Sequence, residues 1–132
     1  MTITEQKLIT QQAFFALLQT GLWEKDAQPF NAEKVDFAAI QKMAEEQSVV
    51  GVVAAGIDKL RTKYREVGVP QKWALQFVGS ALQIEQRNKA MNNFVERLFK
   101  EMQKAEIYAL LVKGQGVAQY YERPLWRTSG DV

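Results

Sequence analysis

Residues 106–132 read EIYALLVKGQGVAQYYERPLWRTSGDV and differ in character from everything before them. The apolar run 107–112 is followed at once by Lys113, Gly114 and then Gly116, a pattern that predicts a buried strand ending in a sharp turn. Val117, Ala118, Tyr120 and Tyr121 recur at near-helical spacing, so a short helix is expected to pack back on that strand. Pro124 breaks this segment. Arg127, Ser129, Gly130 and Asp131 then close the stretch where a second strand is expected to begin.

Before this stretch, residues 70–105 carry apolar residues three and four apart: Ala74, Phe77, Ala81, Ile84, Met91, Val95, Leu98, Met102 and Ala105. Asn88 alone breaks the seam. At about 1.5 Å per residue such a helix reaches roughly 50 Å, so earlier helices or a second copy must shelter it. Trp73, Phe94 and Phe99 lie off the seam and widen the apolar face beyond a two-stranded coiled coil, which favours packing within a bundle.

Nearer the start, Thr4 with Glu5 and Gln6 offers a helix N-cap, and Leu8, Ile9, Phe14, Phe15, Leu17, Leu18 and Leu22 give that helix an apolar face. Gly21 is expected to mark its frayed end. Pro29 separates it from a second helix, which is expected to be capped by Asn31 and to run to about Gln47. Residues 48–64 are ambiguous, because the Val pairs favour a strand at 49–53 while Ala54, Ala55, Ile57, Leu60 and Tyr64 keep helical spacing; the helix is the preferred reading. Gly68 and Pro70 mark a stop and a new start.

Composition narrows the chemistry. The 132 residues are 47% hydrophobic and 24% charged with net charge +2, which fits one globular domain and gives no argument for nucleic acid or a membrane surface. Neither cysteine nor histidine is present, which removes disulfides, thiol chemistry and any catalytic dyad or metal site built on histidine. The first residues lack the basic start and apolar run of a signal peptide, and no stretch reaches membrane-spanning length, so a cytoplasmic protein is expected.

The order of a Lys-Gly strand end, a Tyr-Tyr helix, and an Arg leading into Gly-Asp-hydrophobe resembles the bacterial uncharacterised nucleotidyltransferase family. That family is a branch of the DNA polymerase beta-like nucleotidyltransferase superfamily. The resemblance implies a helical region at 1–105 leading into the first strand and short helix of an incomplete α/β core at 106–132. It also implies nucleotide binding by Lys113, Gly114, Gln115, Arg127, Ser129 and Gly130, with Asp131 as the first metal carboxylate. Gln115 departs from the Gly or Ser of the wider superfamily. The second carboxylate of the pair would follow Val132, so the resemblance casts the chain as the front portion of a larger enzyme, inactive alone. When complete, that enzyme would use Mg2+ or Mn2+ and move a nucleotidyl group from an NTP to an acceptor the sequence does not identify; no metal is expected to bind this chain tightly.

Each of these residues also has a plainer reading. Lys113 would be a solvated strand end, Arg127 a surface ion-pair partner, Asp131 a turn residue, and Tyr120 and Tyr121 a ring in the core and one at its rim. Lys59, Arg61, Lys63 and Arg65, with Tyr64 among them, have the composition of a nucleic-acid patch, but Asp58 and Glu66 partly neutralise the run and a solvated face is the preferred reading. From a different class, the chain would be a non-catalytic helical module that forms homo-oligomers through the long helix or an exposed strand edge.

Overall fold

The structure, a computed structural model, describes residues 2–23 and 30–128. Five α-helices follow in order: α1 (Ile3–Leu22), α2 (Phe37–Glu46), α3 (Val50–Lys63), α4 (Gln71–Lys104) and the single turn α5 (Gln115–Ala118). Three 3-10 turns, Ala32–Lys34, Arg65–Val67 and Pro124–Trp126, fill the connections.

α3 lies at the centre. Gly51 through Ile57 are all buried, so the first two turns of this helix are covered on every face, as a segment that is apolar all round must be. The strand alternative at 49–53 therefore gives way to helix, because Ala54, Ala55 and Gly56 let neighbouring backbones come close. A Cβ built on Gly56 would stand 2.3 Å from the carbonyl oxygen of Leu17, and one on Gly21 would stand 2.1 Å from that of Val52. Gly21 thus belongs to a tight α1–α3 crossing rather than to a frayed end.

Helix boundaries follow local chemistry. The N-cap of α1 lies two residues before the expected Thr4, at Thr2, whose hydroxyl accepts from Glu5 N (3.1 Å) while the Glu5 carboxylate accepts from Thr2 N (3.3 Å). That reciprocal pair is a capping box. Asn31 caps just one 3-10 turn; Asp36 caps α2, its Oδ1 accepting from Ala39 N and its own N–H donating to the buried Thr10 hydroxyl of α1. α2 and α4 each end on a left-handed residue that is not glycine, Ser48 (φ 56°) and Glu106 (φ 59°). Val49 N donates to Ala44 O and Ile107 N to Met102 O, the six-to-one bond that closes a Schellman motif.

The core joins Phe14, Leu17, Ile40, Ile57, Leu60 and Phe77, with Phe37 stacked on Trp73 where α2 meets α4. α4 contributes Ala74, Phe77, Ala81, Ile84 and Asn88, and then buries nothing more over its last sixteen residues. The long helix of the sequence reading is present, but the bundle shelters its first half alone.

The expected strand is not. Residues 107–112 have no regular structure and are all exposed, Tyr108 and Leu110 at 102% and 84%. A strand satisfies its backbone by pairing with a neighbour, and among the described residues no segment pairs with this one. Mainly α is therefore the class of the described chain, with no α/β layer in it.

Two substitutions of similar size should act in opposite directions. Ser48→Gly relieves a left-handed serine and is expected to raise stability by roughly 0.5–1 kcal/mol. Gly56→Ala drives a methyl group into the Leu17 carbonyl and is expected to cost about 1–3 kcal/mol or more. Urea unfolding of both variants checks the pair of signs.

Candidate functional site

The residues singled out by sequence fall on two segments, the turn at 113–116 and the chain from Pro124 onward. Gly114 has φ 60° and ψ −114°, and as the residue before α5 it makes the sharp turn expected of it. Lys113 is exposed on that turn. Gln115 turns inward: its Nε2 donates to Asn92 Oδ1 (2.6 Å) and, at 3.4 Å, to the backbone oxygen of Asn88. Its Oε1 is buried without a hydrogen-bond partner among the described residues.

Arg127 lies half-buried at the end of the last 3-10 turn. Its guanidinium stands 5.8 Å from the centre of the Tyr121 ring, and its Nη1 is buried with no acceptor among the described residues. A buried guanidinium nitrogen without an acceptor has lost water without recompense. Tyr121 is half-buried and supports Arg127, while Tyr120 is 82% exposed. Ser129, Gly130 and Asp131 lie outside the described residues, as does any metal geometry at Asp131.

Both segments rest on one stretch of α4. Asn88, 1% exposed, donates through Nδ2 to Leu125 O (2.6 Å) and Arg127 O (2.7 Å), and its own carbonyl faces Gln115. From the other side Trp126 O packs on α3, where a Cβ on Gly51 would come within 1.7 Å of it. Glycine is the residue that leaves room for this contact.

Ion pairs complete the attachment. Arg123 bonds Asp58 (2.7 Å) and lies 4.5 Å from the centre of the Trp126 ring. Lys59 bonds Glu122 (2.8 Å) and also the carbonyls of Thr20 (3.1 Å) and Trp23 (3.3 Å) at the end of α1. Lys59, expected on a solvated face, is thus a cap for α1 and a tether for the last segment. Its side chain is 13% exposed.

Sequence reasoning passed over Asn92 and Gly51 and read Asp58 and Lys59 as part of a solvated face; none of the four carries a local signal for a contact made tens of positions away. Asn88 did carry one, as the single polar break in an apolar seam. Among the described residues no group of three or more acidic side chains is placed to hold a metal ion. No described helix is long and apolar enough to cross a membrane.

The model of a family described as uncharacterised nucleotidyltransferase matches residues 33–132, a span that includes α2 to α5 and the last 3-10 turn. No curated protein and no solved structure matches the chain.

The tethers should differ in strength. Lys59→Met leaves two helix-end carbonyls and Glu122 without their donor and is expected to cost about 1.5–3 kcal/mol, the range for hydrogen bonds to a charged group. Arg123→Ala removes a more exposed pair and should cost about 1 kcal/mol or less. Chemical unfolding of the two variants side by side checks this order.

Proposed function

The chain belongs to the uncharacterised nucleotidyltransferase family, and on that premise we propose that it supplies the nucleotide-binding portion of an enzyme that transfers a nucleotidyl group from an NTP to an acceptor. The observation that carries the reading is the reach of the family match, which runs without a break from residue 33 through α2 to α4, the turn at 113–116 and residues 127–131.

The residues have distinct parts in this reading. Lys113 and the backbone around Gly114 meet the phosphates at the turn, Lys as a point charge on a mobile stem. Arg127 offers a planar fork that suits phosphate oxygens, and its buried Nη1, which has no acceptor among the described residues, supports that role. Ser129 and Gly130 bring the chain to Asp131, which donates one carboxylate to magnesium or manganese; the remaining oxygen ligands come from outside the described residues. When bound, such a metal neutralises triphosphate charge for in-line displacement at the α-phosphorus.

A second reading, a helical module that self-associates, draws on a separate observation. The last half of α4 buries nothing, with Phe94 46% exposed, and the apolar run 107–112 follows directly after it.

Asp131→Asn, made in a protein that also carries the second metal carboxylate, separates the two. It keeps the size of the side chain and removes its charge, so magnesium-dependent NTP binding is expected to weaken by roughly tenfold or more, about 1.4 kcal/mol, with the unfolding midpoint unchanged. Equilibrium dialysis with labelled NTPs, run beside thermal unfolding, reads both quantities. Lost stability with intact metal-dependent binding would make Asp131 structural, and no NTP binding by the unaltered protein would favour the self-associating module.

A further inference from the structure

We propose that Asn88 is the positioning residue of the nucleotide site, fixing the backbone at 125–127 in register with the turn at 113–116. The inference rests on the nucleotidyltransferase reading of those two segments, and it assigns part of the site to the helical region.

An amide in an apolar seam is expensive to bury unless its donors are used. Asn88 is 1% exposed, where a leucine would bury more apolar surface, and its side-chain nitrogen donates to two backbone carbonyls, Leu125 O at 2.6 Å and Arg127 O at 2.7 Å. One nitrogen can reach two carbonyls that flank a residue for few shapes of the intervening backbone. The carbonyl between them, that of Trp126, faces the other way onto Gly51 of α3. Three successive carbonyls are thereby gripped alternately by α4 and α3, which sets where the Arg127 side chain starts and where the chain toward Asp131 departs.

The same stretch of α4 holds the turn. Gln115 Nε2 reaches Asn88 O at 3.4 Å and Asn92 Oδ1, one helical turn on, at 2.6 Å. Both halves of the nucleotide site are therefore held by residues 88–92 of α4 as well as lying against each other. Loss of the Asn88 amide should let the segment drift while the α1–α3 core, which does not depend on it, stays folded.

Two variants of the whole protein test this. Asn88→Asp keeps the shape but replaces the donor with a carboxylate facing two carbonyl oxygens. Asn92→Ala removes the exposed acceptor of Gln115 and disturbs nothing buried. Amide hydrogen exchange below each unfolding transition, and binding of each of the four NTPs with magnesium, are the readouts. For Asn88→Asp, exchange at 123–128 should quicken and NTP affinity should fall, each by roughly tenfold or more, with α1–α3 still protected; a purely structural role would loosen the core as well. For Asn92→Ala, exchange at 114–118 should quicken and affinity should fall with no change in the unfolding midpoint.

Unchanged exchange at 123–128 in folded Asn88→Asp, or a loosened segment with wild-type NTP affinity, would overturn the inference. Should Asn88→Asp fail to fold, wild-type affinity in Asn92→Ala would overturn it instead. An unaltered protein that binds none of the four NTPs would overturn the nucleotidyltransferase reading, and the exchange data would still decide whether Asn88 holds the segment.

Discussion

The side-chain amide of Asn88, buried in the seam of α4, decides how the last described residues sit. In low dielectric a donor left without an acceptor is costly, so the backbone at 125–127 must deliver two carbonyls to it. Everything else in that region is compatible with this demand. Gly51 leaves room for the Trp126 carbonyl, and the Trp126 side chain packs against the core. The pairs Arg123–Asp58 and Lys59–Glu122 sit nearer solvent and act as outer clamps on a placement fixed further in.

α4 shows how one apolar rhythm can serve two situations. Up to Asn88 the seam packs on α3 and is buried; beyond it Met91, Val95, Leu98 and Met102 continue the spacing and remain partly open to solvent. Periodicity specifies that a segment is helical and which face is apolar. It says nothing of what covers that face, because the covering surface belongs to another part of the fold.

The same distinction explains what the sequence revealed. The helices at 3–22, 50–63 and 71–104 were legible because their apolar positions repeat at 3.6, and Gly68 with Pro70 marked the break between the last two. The cap at Thr2 was misplaced onto Thr4, although the Thr2 to Glu5 box stood in the sequence. Residues 107–112 have the composition of a strand but no partner among the described residues, and composition cannot supply one. At the site, the Gly114 turn was readable from its glycines, and Asn88 announced itself as a polar break. Gly51, Asp58 and Lys59 were not readable, since each gains its role from a segment at 122–127, more than sixty positions on.

Family membership makes the contact between the helical region and the last segment the point on which the account turns. If the helices hold that segment, the proposed nucleotide site is built on the bundle; if not, the helices and that site are separate. The most direct measurement is a nuclear Overhauser contact between the α-hydrogens of Gly51 and the β-hydrogens of Trp126 in isotope-labelled protein. The account predicts a strong cross-peak, since the Trp126 Cβ lies 3.1 Å from where a Cβ on Gly51 would stand. Its absence, with Trp126 shifts at random-coil values, would contradict the docked segment.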